Sequence, residues 1–314
     1  MRFTVFTPTY NREATIGRVY ESLLKQTLRD FEWLIVDDGS TDGTPELVEG
    51  WIKDPKVEFS IRYVWQENAH KKAAHNRAIS MAAGELMVVL DSDDWCVPHA
   101  LECFWEHWIE IPEVERKEFM GVCGLCMNEK GAIVGDQYPT DQYLDSNSQE
   151  LKYLYHVTGE KWGAMKTELL KDFPFRDDLP GIVPESTVWD AIAVHYRTRF
   201  FNEPLRIYTQ DVPGIIARKG ERPDAKKGAP GAAYAKKFVL DNNIAYLSYA
   251  PRQFVFEAAR LTRFWLHCPK EFKKKIGYWP KSRAGRAIVV VGSPLGLGMY
   301  FVDLWRMSRN GIAK

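Results

Sequence analysis

Leu86 to Trp95 reads Leu-Met-Val-Val-Leu-Asp-Ser-Asp-Asp-Trp, so five apolar residues run straight into three carboxylates within four positions. Acids packed this closely repel one another unless something positive sits between Asp91, Asp93 and Asp94. A divalent cation that prefers oxygen ligands, Mn2+ or Mg2+, meets that need. The alternative is an acidic turn capping the next helix, but a cap uses one Asp, not three. A second acidic pair, Asp37-Asp38, follows another apolar run, Phe31 to Val36. A metal cluster with a further carboxylate nearby suits a nucleoside diphosphate. The cation neutralises the phosphates, and the other Asp accepts hydrogen bonds from base or ribose.

Both acidic loops need a scaffold that brings them together. Continuous apolar runs of this length read as strands buried on both faces, which belong to parallel sheets. Arg2 to Thr7, stopped by Pro8-Thr9-Tyr10-Asn11, and Phe59 to Trp65 are two more. Helices alternate with them. Ala14 to Gln26 sets Ile16, Val19, Tyr20, Leu23 and Leu24 at helical spacing. Thr44 as N-cap and Pro45 in the first turn open a helix to about Lys53. Lys72 to Ala83 is a third helix, closed by Gly84 as a left-handed cap. Such alternation means right-handed βαβ units and a mainly parallel sheet. Ligands bind such sheets just beyond the strand carboxyl ends, so the two acidic loops open on one edge. No G-x-G-x-x-G and no Walker-type loop is present, which weighs against a dehydrogenase or a P-loop NTPase.

The bulk composition excludes other classes. Its 42 basic and 42 acidic residues leave no global charge that argues for nucleic acid. Five cysteines are an odd number with no disulfide framework. Cys123 and Cys126 share a strand-like run, where side chains three apart face opposite ways, so no metal or redox role is expected of them. The chain enters a strand at once without a secretory leader, and the expected compartment is a reducing cytoplasm.

Four motifs then come in order: Pro8-Thr9-Tyr10-Asn11-Arg12, Val36-Asp37-Asp38-Gly39-Ser40-Thr41-Asp42, Ala74-x-Asn76 and Leu90-Asp91-Ser92-Asp93-Asp94. Together they resemble the nucleotide-sugar domain of the family 2 glycosyltransferases, inverting enzymes of GT-A fold, over roughly the first third of the chain. The resemblance implies that Asp38 contacts the nucleobase and that Thr7 and Pro8 line its pocket by main chain. It implies that Asp91 lies near ribose or metal and that Asp93 coordinates a divalent ion bridging the diphosphate. Asp94 either joins as a ligand or orients the following helix. One departure stands out: where family members often carry a glycine-rich segment, this chain has Glu67-Asn68-Ala69-His70-Lys71-Lys72. Lys71 or Lys72 can reach phosphate as a point charge, or simply begin a solvated helix. Asn76 is a structural or substrate-side polar contact.

The second half supplies the rest of the expected reaction. Pro98 to about Ile111 reads as a helix, Met120–Met127 with Gly131–Gly135 as a hairpin, and Tyr138 to Gln149 as loop. Lys161–Lys166, Thr198–Phe201 and Pro204–Tyr208 read as strands. Inverting transfer needs a general base to take the acceptor's hydroxyl proton. In the family the base commonly comes from a Glu-Asp or similar pair before a helix. Glu185 matches here, Ser186 replaces the second acid, and Asp190 is the reserve. Arg218 and Lys219 sit in a basic Gly/Pro loop that could close as a lid over the diphosphate. From Ala232 onward the chain reads as helical. Ala287 to Trp305 is apolar apart from Asp303, flanked by Arg283, Arg286, Arg306 and Arg309, with Trp279 and Trp305 at its ends. That pattern suits peripheral contact with an anionic inner membrane leaflet, or a helical pair packed on protein.

The expected architecture is an α/β GT-A-like domain over 1–220 (nucleotide half 1–95, acceptor half 96–220) and a helical extension over 221–314. The expected activity is metal-dependent, inverting sugar transfer from a nucleotide-diphosphate donor, UDP-linked by preference, to a glycan or lipid-linked glycan hydroxyl. A nucleotidyltransferase would show a glycine-rich basic loop after the first strand, which Pro8 to Arg12 is not. A silent sugar-nucleotide-binding module is the other competitor, against which Asp91, Asp93 and Glu185 stand.

Overall fold

The computed structural model describes residues 1–181, 183–209, 226 and 228–309. These fall into two compact units: one of residues 1–175 and 195–209, the other of 176–194 with the described residues from 226 on.

The first unit is built on a mixed nine-stranded sheet. Its strands are β1 (Phe3–Thr9), β2 (Phe31–Asp37), β3 (Ser60–Trp65), β4 (Leu86–Val89), β5 (Trp95–Cys96), β6 (Phe119–Met127), β7 (Tyr143–Ser146), β8 (Lys161–Lys166) and β9 (Arg197–Ile207). The order is β3-β2-β1-β4-β8-β6-β9-β5, with β7 on β9. β1 to β4 run parallel, and parallel ladders hold most of the paired residues. Every residue of β1 and β2 is buried, as continuous apolar runs require. Around the sheet lie α1 (Gly17–Leu24), α2 (Thr44–Ile52), α3 (His70–Met81), α4 (Ala100–Ile109), α5 (Ser148–Tyr153) and α6 (Thr167–Lys171). Tyr20 of α1 stacks on Trp51 of α2 at 4.5 Å, above the fully buried Trp33 of β2. Such aromatic pairs add about 0.5–1.5 kcal/mol beyond the area they bury.

Five local expectations are corrected. Gly84 is not a left-handed cap; it is glycine because a Cβ there would lie 2.3 Å from the Phe3 carbonyl carbon. Thr44 is not the N-cap; it sits inside the first turn, donates to Asp42 and accepts from the Arg12 amide. The hairpin expected over 120–135 is confined to its tip, where Met127 bridges Ile133 and the Val134 and Asn128 amides donate to the Cys126 and Ala132 carbonyls, because β8 takes β6 from Gly121 to Leu125. Within the stretch read as loop, Tyr143–Ser146 is a strand on β9, and β9 runs unbroken where two strands were expected.

The second unit holds α7 (Ser186–Ala193), α8 (Ala229–Asn242), α9 (Pro251–His267), α10 (Lys270–Ile276) and α11 (Arg283–Arg309). α9 packs against both α8 and α11. The approach of α11 to α9 is close because Gly292 and Gly296 leave no side chain between them. A Cβ at Gly296 would come within 2.3 Å of the Ala259 carbonyl oxygen. Gly296→Val should therefore cost about 1–3 kcal/mol by overpacking. A melting temperature equal to wild type would contradict this packing.

Candidate active site

The chain passes β1, β2 and β3 outward on one side, then returns to place β4 on the other side of β1. The carboxyl ends of β1, β2 and β4 thus surround a topological switch point, where a crevice forms outside the sheet. Asp37-Asp38 ends β2, Asp91 to Asp94 follows β4, and Thr7 and Pro8 lie near the end of β1.

The two acids after β2 have different duties. Asp37 is wholly buried; its carboxylate accepts from the Ser40 amide at 2.8 Å and the Tyr63 hydroxyl at 2.6 Å. Burial, with Asp37 beside it, raises the Tyr63 phenol well above its usual range. Asp38 takes two bonds on one oxygen, Oδ1, from Gln66 Nε2 at 2.8 Å and the Ala69 amide at 2.9 Å. Its own amide donates to the Thr9 carbonyl. Gly39 turns the chain with φ +90°, a conformation that side chains rarely adopt, and a Cβ there would press to 3.1 Å of the Asn68 nitrogen. Thr7 commits its hydroxyl to the core, accepting from Trp33 Nε1 at 2.9 Å, so only its main chain is left for a ligand.

The three acids after β4 also separate. Asp91 pairs with Lys71 Nζ at 2.7 Å. Burial pushes its carboxyl up, but Lys71 and then Arg206 outweigh that and hold it below the usual carboxylate range. The Asp93 carboxylate is half-buried and makes no hydrogen bond or ion pair among the described residues; only its main-chain oxygen is touched, by Arg18 at 3.4 Å. Asp94 turns inward. It is 2% exposed, accepts the Thr209 amide at 2.9 Å and lies 3.5 Å from Arg206 Nε. It therefore ties the loop to the end of β9 rather than orienting α4. Burial raises its carboxyl to about 7, with Asp91 and Asp93 adding and Arg206 opposing.

This arrangement fits a divalent cation. Asp93, with no partner among the described residues, and Asp91, already holding a positive charge, are the oxygen donors available. A hard cation bound through one or two carboxylates completes its shell with water and phosphate oxygens. Lys72 is buried in the first turn of α3, beside Lys71. Asn76 acts structurally, clamping the Phe175 main chain with bonds of 2.9 Å to its carbonyl and 2.8 Å from its amide. Glu185 and Asp190 belong to the second unit, Glu185 as the N-cap of α7 and Asp190 within it, 3.4 Å from Asn243 Nδ2. Arg218 and Lys219 lie outside the described residues.

Two residues escaped the sequence reading. Arg206, 6% exposed, reaches the acidic loop because β5 pairs Cys96 with it. Arg18 crosses from α1 to the Asp93 carbonyl and the Thr209 hydroxyl, both at 3.4 Å. Neither position carries a local signal, since their importance depends on a pairing more than seventy residues distant for Arg18 and more than a hundred for Arg206. Arg206→Met should destabilise the fold by about 3 kcal/mol, the cost of stranding a buried acid. The loss should be pH-dependent. Asp94 is raised from about 3.9 unfolded to about 7 folded, so its contribution is complete below the unfolded value and is lost as pH rises through the folded one. Without Arg206 to oppose the rise, that decline continues to higher pH, so the variant's deficit should be larger at pH 8 than at pH 5 in urea titrations. A pH-independent deficit would contradict the pairing.

Comparison with known proteins agrees with this geometry. GlyA, a glycosyltransferase of Streptococcus pneumoniae, is 22% identical over 276 residues; the match covers 84% of this chain but only 32% of GlyA, so the chain spans about a third of that relative. The GalNAc(5)-diNAcBac-PP-undecaprenol beta-1,3-glucosyltransferase of Campylobacter jejuni is 25% identical over 230 residues, 69% of each chain. The structure of S. aureus TarS 1–349 in complex with UDP-GlcNAc superposes with a TM-score of 0.61 at 18% identity, covering 99% of this chain and 92% of that one, a likeness of fold. The mixed sheet is thus of the GT-A-like kind expected. The model of "Glycosyl transferase family 2" matches residues 4–163, half of the chain and every strand that carries the acidic crevice, and the chain belongs to that family.

Proposed function

We propose that this chain transfers a sugar, with inversion, from a UDP-linked donor to a hydroxyl of a lipid-linked glycan, with Mn2+ or Mg2+ at Asp93 and Asp91. The observation that carries this reading is the gathering of Asp38, Asp91 and Asp93 at one sheet edge, with the Asp93 carboxylate left open. UDP is favoured because the superposed TarS structure holds UDP-GlcNAc, and a lipid-linked acceptor because the Campylobacter relative is named for one.

Asp38 keeps Oδ2 outside both of its internal bonds, so that oxygen can accept an N–H of the base. Lys71 supplies positive charge at the diphosphate side of the crevice. A bound cation would screen the leaving diphosphate as its charge grows. In the transfer, the acceptor oxygen forms a bond to the anomeric carbon as the bond from that carbon to the diphosphate breaks. A general base takes the hydroxyl proton, the role that the family resemblance gives to Glu185, and the nucleoside diphosphate leaves with the bonding pair.

A thermal-shift panel of UDP, GDP, CDP and dTDP, each with and without Mn2+, tests the reading. A ligand bound by the native state alone raises the melting temperature. Stabilisation by UDP that requires the metal supports the proposal. No shift with any nucleotide would overturn it, together with the reading as a silent sugar-nucleotide-binding module.

A further inference from the structure

α11 wears its polar groups on the inside. Asp303, its one acid between Arg286 and Arg306, is 7% exposed and held by Arg263 at 2.6 and 2.8 Å and by His267 at 3.1 Å. Ser293 bonds Tyr278 at 2.9 Å, and Gly292 and Gly296 seat the helix on Ala258 and Ala259 of α9. Close glycine seams of this kind, joined by hydroxyl bonds, are the packing used where water gives no drive for helices to associate. The outside is the reverse of a soluble helix. Val290, Val291, Leu295, Phe301 and Trp305 are 43–63% exposed, and no exposed residue between Arg286 and Arg306 is charged.

Charge says what covers this face. Residues 270–286 carry seven Lys and Arg against one acid, Glu271, and lead directly into the apolar stretch. Arg306 and Arg309 close its far end, Arg309 lying 4.3 Å over Trp305. Cationic ends with tryptophans bordering an apolar band match an anionic lipid surface, not a second copy of the same basic segment.

α11 is long and apolar enough to cross a bilayer. Its neighbour decides otherwise. α9 lies along it from Ala258 to His267 and carries Glu257, ion-paired to Lys236 at 2.9 Å and to Arg260 at 3.2 Å. Crossing would take those charges into hydrocarbon, a costly transfer.

We infer that the second unit docks on an anionic phospholipid bilayer with α11 lying in the interface plane, its apolar face inserted and residues 270–286 over the headgroups. Docking and donor binding use separate residues, so either can fail alone.

The test is flotation of the full chain with vesicles of phosphatidylcholine, with or without one-quarter phosphatidylglycerol. The chain should float with the anionic vesicles, roughly tenfold better than with the neutral ones, and high salt should weaken it. Val291→Glu with Phe301→Glu should lower flotation at least tenfold with an unchanged melting temperature, because both side chains are exposed. Lys273, Lys274 and Lys275 changed to Gln should lower it on anionic vesicles alone. A chain that never floats, or one that floats equally well with the apolar face altered, overturns the inference. So does a dimer in size exclusion that the double substitution converts to monomer with no vesicle binding, since the face then covers a second copy.

Discussion

Asp93→Ala should remove metal-dependent donor binding and slow transfer on the order of a thousandfold, while the unliganded protein melts as wild type does. The loss is large because a metal clamp on a diphosphate is worth several kcal/mol of charge stabilisation, and about 4 kcal/mol is a thousandfold in rate. The fold is spared because the Asp93 carboxylate has no hydrogen bond or ion pair among the described residues, so truncation strands nothing. Its neighbour is the control. Asp94→Ala removes the acceptor of the Thr209 amide and the counter-charge of Arg206, so its penalty should fall first on stability. Isothermal titration of UDP with Mn2+, beside thermal melts, separates the two. Wild-type donor affinity in Asp93→Ala would show that the open carboxylate is no metal ligand.

Glu185→Gln should lower turnover by about 10²–10⁴-fold, the range for losing a positioned base, with donor affinity unchanged. Gln keeps the size and the N-cap position at the start of α7 and removes only the proton-accepting oxygen charge. The split between turnover and donor affinity identifies the role, since a merely structural residue would move both or neither. Asp190→Asn is run beside it. If Asp190→Asn abolishes turnover while Glu185→Gln is active, the base is Asp190 and the assignment of Glu185 is wrong.

The first hundred residues were legible before any coordinates because their signals are local. Phe3–Thr9, Phe31–Asp37 and Leu86–Val89 are strands buried on both faces, so apolar continuity alone marks them. Their carboxyl ends are punctuated by acids and, at Asp38-Gly39, by a glycine that the turn requires. Further along, pairing across long separations overrode the local pattern. Gly84 looked like a helix cap but is small because β1 passes against it. Residues 131–135 return as a hairpin only at its tip, since β8 already pairs with β6 from Gly121 to Leu125. Tyr143–Ser146 is polar enough to read as loop and is a strand because β9 offers it a free edge.

The amino-acid sequence by itself determined the two acidic clusters, the edge of the sheet where they gather, and the apolar segment with its basic flanks. Residue type and short spacing settle these, because a strand end or a charge cluster needs no distant partner to exist. Only the tertiary structure decided which acid does what. Asp91, Asp93 and Asp94 are indistinguishable as letters. They become ion-paired, open and buried because Lys71 arrives from α3 and Arg206 from β9. The same holds for α11, whose Asp303 looks in sequence like an interruption of an apolar run. Arg263 and His267 of α9 neutralise it on the inner face, leaving the outer face apolar throughout. Burial and charge pairing are properties of neighbours in space, and a run of residues does not contain its neighbours.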